Sequence, residues 1–303
     1  MVPAGLVEAT TLREGAEGRA WLDGLPALVD NACGRWRCAI DGPPQHGQVA
    51  LIVPIHHPRG PAMLKVSYPH PGNLGEALGL ATFGGRGSVE LFEVDDTRLV
   101  LVLERASPQT LTDYAVRPEL VEEAIEIAGD LARRLAVKPL PGVTALAETT
   151  TAWIDELTRQ TESSPWALPQ AAIDQAQETI EQLATDTTAT MLHGDLHFDN
   201  ILRSTRDGWL SIDPKGWSGT GAFDTFTVIA GRREEIDQGP GLYQGIVRRI
   251  NRFAAAAGID PDHALACCQA RAVSSYYYQQ QVPGNWFDLK FLEVLALSGG
   301  EVG

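Results

Sequence analysis

Residues 191–202 read MLHGDLHFDNIL, and residues 210–216, a few positions later, read LSIDPKG. Among apolar residues that belong in a core, this region places His193, Asp195, His197, Asn200 and Asp213. Polar groups held that deep need partners or a chemical task, because a carboxylate taken out of water is costly unless it is paired. Two tasks compete. A carboxylate followed by an amide and a second carboxylate can accept a proton and hold a hard cation through oxygen. Alternatively, His193, Asp195 and His197 alternate, and on a strand they would share one face as ligands of a transition metal in a hydrolase. The other histidines, His46, His56, His57, His70 and His263, add no ligand nearby, which disfavours the second reading.

Outward from this stretch, ILRSTRDGWLSI (201–212) reads as a hairpin turning at Arg206–Gly208, so Asp213 returns beside Asn200. On either side, 118–136, 151–161, 170–186, 242–257, 262–281 and 286–297 have apolar residues three or four apart, as in helices. Before Glu104 the pattern changes. VALIVPI (49–55), AMLKVSY (62–68), SVELFEV (88–94) and RLVLVLE (98–104) are short β-rich runs, the last two joined at Asp95–Thr97. One helix is expected between them, from about Gly72 to Phe83, stopped by GGRG. The expected fold class is α+β and bilobal: a small β-rich N-lobe over 1–104, a sheet with one helix, and a larger, mainly helical C-lobe over 105–303.

Composition narrows the partners. In 303 residues, 24 Lys and Arg stand against 39 Asp and Glu, a net charge of −15. Such a surface disfavours nucleic acid and anionic membrane and suits a cationic small molecule. No basic segment leads into an apolar one at the N-terminus and no apolar run approaches a membrane span, so a cytoplasmic protein is expected. Cys33, Cys38, Cys267 and Cys268 match neither a zinc spacing nor a disulfide framework and read as reduced thiols. No feature sets an oligomeric state.

Asp195 precedes Asn200 by the Asp-to-Asn spacing of a kinase catalytic loop, where one loop presents the base and a metal ligand. On that template Asp195 takes the acceptor hydroxyl's proton, while Asn200 and Asp213 bind Mg2+. An independent check lies upstream. Lys65 falls inside AMLKVSY, an expensive place for an unpaired charge, and Glu76 on the next helix is a candidate partner. A G-x-G-x-x-G loop is missing. PPQHGQVALIV (43–53) has only Gly47, so phosphate contacts would come from backbone amides around Gly47 to Ala50.

With these residues in place, the chain resembles the aminoglycoside phosphotransferases, HGDLHFDNIL matching their catalytic loop and IDPKG standing in place of the protein-kinase D-F-G. It is most similar to their streptomycin 6-kinase and hydroxyurea phosphotransferase branch, through EGRAWLDGLPALVDNACGRW (17–36), PAMLKVSYPH (61–70), EALGLATFGGRGSVELFEVD (76–95), LVLERA (101–106) and WLSIDPKGWSGTGAFD (209–224). The resemblance implies a bilobal protein-kinase-like fold using ATP and Mg2+. It implies that Lys65 holds the α and β phosphates, that Glu76 orients it, and that Glu104, Arg105 and Ala106 form the hinge where adenine docks. His193 and His197 would brace the loop, and Asp224 would steady it or cap a helix. The implied partner is a hydroxylated small-molecule acceptor, cationic like streptomycin, with hydroxyurea or an amino sugar as alternatives. A catalytically silent, nucleotide-binding relative is a further alternative, but its mark, loss of the lysine, base or metal ligands, is not present. The chain departs from the streptomycin kinases at Gly194, where they carry an aromatic, and at Arg232 and Arg233, which add positive charge near the expected acceptor. SSYYYQQQVPGNWFDLKFLEVL (274–295) reads either as core aromatics or as a sugar-binding wall.

Overall fold

In the computed structural model, which describes residues 2–236, 241–281 and 287–298, the chain opens with a long helix, α1 (Ala4–Trp36), kinked at Gly15 where φ is +59°. This corrects the expectation of a sheet with one helix. Leu22, Leu25, Val29, Ala32 and Trp36 are buried and recur at helical spacing. Gly15, Gly18, Gly24, Gly34 and Pro26 obscure that stripe, since each on its own argues against a helix. Burial against the sheet overrides them.

Strands β1 (Ala39–Ile40), β2 (Gln45–His46), β3 (Ala50–His57) and β4 (Gly60–Ser67) follow, then helix α2 (Glu76–Phe83) and strands β5 (Leu91–Asp95) and β6 (Val100–Glu104). They form one antiparallel sheet in the order β1-β3-β4-β6-β5, with β2 also on β3. Side chains alternate across it. Leu51, Val53 and Ile55 of β3 and Leu64 and Val66 of β4 pack with α1, whereas Leu101 and Leu103 of β6 pack with Leu80, Val89 and Leu210 on the other side. Lys65, between Leu64 and Val66 and in register with Ile52 and Leu101, belongs to that second side. A one-residue slip would drive its ammonium into the α1 core.

Beyond Glu104 the chain is mainly helical, with α3 (Leu111–Tyr114), α4 (Val121–Leu135), α5 (Thr150–Ser163), α6 (Gln170–Ala184), α7 (Thr225–Ile229), α8 (Leu242–Ala257), α9 (Pro261–Gln281) and α10 (Leu289–Ala296). Of these, α3 and α7, four and five residues long, are too short to show a period. Trp286, where the last helix was expected to begin, lies outside the described residues. Strands β7 (Thr144–Ala145), β8 (Met191–Leu192) and β11 (Trp217–Ser218) form a small sheet with β11 in the middle, and β9 (Ile201–Ser204) pairs with β10 (Gly208–Ser211) as a hairpin.

The opening stretch spans two cores. Leu192 packs with Ile180, Phe226 and Ile250, whereas Met191, Leu196, Phe198 and Ile201 pack with Leu131, Trp209 and Phe253. Met191, Leu192, Leu196, Phe198 and Ile201 are each at most 2% exposed, so the backbone between them is held at both ends. All four cysteines are free thiols. Among the described residues no helix is long and apolar enough to cross a membrane.

Candidate active site

Lys65 Nζ lies 2.7 Å from Glu76 Oε1 and 2.8 Å from Asp213 Oδ1. Three elements thus meet at one ammonium: β4, the first turn of α2, and the segment after β10. Burial by itself would lower the lysine's pKa, but Glu76 and Asp213 outweigh it and raise the group above its ordinary value. Burial likewise works to raise the Asp213 carboxyl, yet Lys65 and then Lys215 hold it down at about 2. Burial prevails only at Glu76, which is raised despite Lys65. Two carboxylates share one cation, and Asp213 is the one kept firmly ionised.

Asp213 has φ of +61°, a left-handed conformation rare outside glycine and concentrated at functional sites. The next turn is clamped to α2. A Cβ on Gly75 would come within 2.2 Å of Lys215 O, and one on Gly216, whose φ is +70°, within 2.1 Å of Gly75 O. Backbone therefore touches backbone, which fixes the helix carrying Glu76 against the segment carrying Asp213.

Asp195 lies in a loop, with no strand to alternate on, between β8 and a 3-10 turn at Phe198–Asn200. Its neighbours are occupied in defined ways. Asn200 Nδ2 donates to Asp195 O at 2.9 Å, and among the described residues the amide oxygen Oδ1 accepts no hydrogen bond. His193 is fully buried; Asp195 N donates to its Nδ1 at 3.3 Å and its Nε2 contacts Ile212 O at 2.9 Å. With Nδ1 accepting, Nε2 carries the hydrogen, and both nitrogens are used. Burial pushes that imidazole down to about 4, so it is neutral and ties the loop to the hairpin. His197 does not share this bracing role: its ring, 39% exposed, lies 3.8 Å from Asp199. The transition-metal reading is overturned as well, since among the described residues no group of three or more His, Cys, Asp or Glu can hold a metal.

Asp224, buried to 1% exposure, accepts hydrogen bonds from the backbone amides of His193 at 2.8 Å and Gly194 at 2.7 Å. It makes no side-chain cap at α7. Its carboxylate anchors the loop, as the steadying alternative had it. Gly194 has φ of +84°, and a Cβ there would meet Lys215 Cβ at 2.8 Å. No aromatic fits at that position, because Lys215 occupies the space.

Two site residues were missed by sequence. Lys215 Nζ is 3.2 Å from Asp195 Oδ2, and Arg206 in the β9–β10 turn forks onto Glu104 at 3.0 and 2.9 Å. For Lys215 a signal existed, since the chain has only four lysines and this one stands two residues after Asp213. For Arg206 the partner is about 100 residues away, and no local pattern announces it.

The charged side chains at the expected hinge are occupied. Glu104 is taken by Arg206; Arg105 bonds Ala62 O at 3.1 Å and Ile55 O at 2.5 Å and pairs with Asp41 at 2.9 Å. Ala106, half-buried, has no backbone hydrogen bond among the described residues. Gly47 stands at the exposed β2–β3 turn, where its N–H bonds Ala50 O at 3.0 Å. That bond lies within the stretch, Gly47 to Ala50, whose backbone amides are expected to meet phosphate.

A family model described as aminoglycoside/hydroxyurea antibiotic resistance kinase matches residues 35–282. Streptomycin 6-kinase of Streptomyces griseus is 30% identical over 277 residues, covering 90% of this chain and 89% of the relative. Hydroxyurea phosphotransferase of Kitasatospora aureofaciens is 29% identical over 281 residues, covering 92% and 80%. Among solved structures, aminoglycoside phosphotransferase APH(4)-Ia superposes with a TM-score of 0.58 at 14% identity, covering 90% of this chain and 97% of that one. Choline kinase from Cryptosporidium parvum Iowa II does so at 0.54 and 10%, covering 90% and 94%. These last two establish the fold, the bilobal protein-kinase-like one. The family match contains every residue of the site described above, from Gly47 to Asp224, and the chain belongs to the aminoglycoside/hydroxyurea antibiotic resistance kinase family.

Proposed function

We propose that this kinase is an ATP- and Mg2+-dependent O-phosphotransferase acting on a cationic aminoglycoside of the streptomycin class. The observation that carries the reading is the convergence of Lys65, Glu76 and Asp213 within 2.8 Å, beside a loop that presents Asp195 and Asn200. The donors fit the group. One carboxylate, Asp213, and one amide oxygen, Asn200 Oδ1, are hard oxygen donors of the kind Mg2+ takes, and they are the residues that would hold it. When bound, the Mg2+ nucleotide supplies the phosphoryl group and neutralises the charge that develops on it.

In this reading the N-lobe ends at Glu104 and holds the nucleotide, and the C-lobe from Arg105 onward holds the acceptor. Lys65 grips the α and β phosphates and Glu76 fixes its direction. The hinge at Glu104–Ala106 meets adenine through backbone, with Ala106 N–H as donor, since the flanking charged side chains are occupied elsewhere. Asp195 accepts the acceptor hydroxyl's proton. A solved variant of APH(4)-Ia carries ADP and hygromycin B, which supports adenine nucleotide as the donor; a cytoplasmic location, where ATP is available, follows from that choice.

The acceptor side is supported by charge. Arg232, which threatened to repel a cation, is paired with Glu234 at 3.2 Å and Glu235 at 3.1 Å. In the C-terminal run, Tyr277 is core: its hydroxyl accepts from Leu168 N at 3.0 Å. Tyr278 is 51% exposed and lines a cavity of about 200 Å³ with Trp153, Glu156, Gln160 and Ser275. Trp153 packs on Phe223 at 6.0 Å and Phe223 on Trp217 at 5.8 Å, a row of rings leading back to Gly194. That row supports Trp153 and Tyr278 as a distal acceptor wall.

The test is ATP consumption over streptomycin, other aminoglycosides, hydroxyurea and amino sugars, with the product identified by mass. Streptomycin phosphate is the expected product. Turnover of hydroxyurea alone would transfer the assignment to the second branch, which the similarity to the Kitasatospora enzyme makes the runner-up.

A further inference from the structure

Lys215, which pairs with Asp195, is a charged side chain that the roles above leave without a task. Its position is built rather than incidental. Its N–H donates to His193 O at 2.8 Å, its carbonyl sits against Gly75, and Gly194 lacks the Cβ that would strike its stem at 2.8 Å. Three glycines, 75, 194 and 216, thus make room for this residue and its turn. The side chain remains 24% exposed, so solvent reaches it. Two of only four lysines in the chain converge here, Lys65 on the Asp213 side and Lys215 on the Asp195 side.

The location follows from what lies on either hand. On the phosphotransferase reading, Asp195, 3.2 Å from Nζ, takes the acceptor hydroxyl's proton, and Asp213, two residues before Lys215 in the chain, is on the side of the nucleotide's phosphates. The group in flight passes between these two carboxylates. We infer that Lys215 is a catalytic residue whose ammonium contacts the transferring γ-phosphoryl oxygens, releasing part of its hold on Asp195 as the transfer begins. In that step the acceptor O–H bond breaks and its proton goes to the Asp195 carboxylate. The acceptor O–P bond forms, and the bond from the γ-phosphorus to the bridging oxygen breaks, leaving its electron pair on ADP. Lys215 gives and takes no proton; it stabilises charge that is largest in the transition state.

The inference rests on the phosphotransferase reading but not on the acceptor, because its decisive measurement needs none. Calorimetric binding of Mg-ADP and of Mg-ADP with aluminium fluoride, a mimic of the group in flight, is compared in wild type, Lys215→Met and Lys215→Arg. Lys215→Met is expected to lose about 100-fold in affinity for the aluminium fluoride complex and about 100-fold in kcat, with Mg-ADP affinity and ATP KM changed by less than about threefold. Lys215→Arg, which keeps the charge, should recover most of the mimic's affinity. Equal losses for ADP and for the mimic would make Lys215 a structural prop, and no loss for either would leave it idle; both outcomes overturn the inference. If the Met variant lacks a wild-type melting transition, Lys215→Gln is measured in its place on the same criteria. Failure of wild type to bind Mg-ADP at all would instead strike the nucleotide reading itself.

Discussion

Asp195 carries the proposed chemistry, and its replacement by Asn keeps the shape of the loop while removing the proton acceptor. Turnover should fall by roughly 100-fold to 10,000-fold, with Mg-ADP affinity nearly unchanged; a variant within a few-fold of wild type would show that another group is the base. His193 and Asp224 behave differently because both are buried, and they act on stability with opposite signs. Burial holds His193 down at about 4, below its unfolded value near 6.5, so its contribution is present above that value and is lost as pH falls through 6.5 toward 4. Burial pushes Asp224 up to about 6 against the amides of His193 and Gly194, so the folded state keeps a proton that the unfolded state has released, and stability falls as pH rises from 4 to 6. The two nearly cancel. Asp224→Asn should expose the histidine alone, an additional loss of about 3 kcal/mol on acidification from pH 6.5 to 4. Denaturant titrations across that range check it, and a variant as flat as wild type would refute the compensation. At this scale sequence reading reached Asp195, Asn200, Asp213 and the Lys65–Glu76 pair, because spacing and an out-of-place charge are local signals. It did not reach Lys215 or Arg206, whose partners are brought by the fold.

Elements were readable where their period was unbroken. The four long strands, the 201–212 hairpin and, apart from the short α3 and α7, the helices after Glu104 fall near their expected positions because apolar spacing and turn residues agree there. The long helix α1 was lost because Gly15, Gly18, Gly24, Gly34 and Pro26 contradict a stripe that only the sheet's outer face makes meaningful. Two of its glycines, Gly24 and Gly34, stand in open space, unlike those of the site. Gly24 of α1 has nothing within 4 Å of where a Cβ would stand, so Gly24→Ala should stabilise by up to about 1 kcal/mol. Gly75, at the start of α2, would put its Cβ 2.2 Å from Lys215 O, a backbone atom that cannot swing aside. Gly75→Ala should cost about 1–3 kcal/mol, lower the melting temperature, and reduce kcat by displacing Glu76 from Lys65. Thermal melts and turnover on the pair of variants check this. An Ala at 75 that leaves both unchanged would mean that α2 and the 214–216 turn are not locked together.

The molecule as a whole carries −15, and this bears on capture more than on chemistry. A field of that sign raises the encounter rate of a cation and falls away as salt screens it, over a Debye length of about 10 Å at 0.1 M. Near the site the balance is mixed. Lys65 and Lys215 are neutralised by Glu76, Asp213 and Asp195, and Arg232 by Glu234 and Glu235, whereas Asp199, 64% exposed, leaves negative charge facing solvent beside the catalytic loop. Arg232 therefore does not oppose the global sign, which sequence could not establish, because its pairing depends on how the chain turns after α7. If the acceptor is a streptomycin-class cation, its kcat/KM should fall steadily between low and high salt, mainly through a rise in KM. Hydroxyurea is neutral and should be captured at a rate nearly independent of salt, so the two compounds compared on one preparation isolate the field from any effect of salt on the fold. A flat streptomycin profile alongside efficient phosphorylation would show that a local positive patch cancels the overall field, and efficient turnover confined to a neutral acceptor would remove the aminoglycoside from the assignment while leaving the phosphotransferase in place.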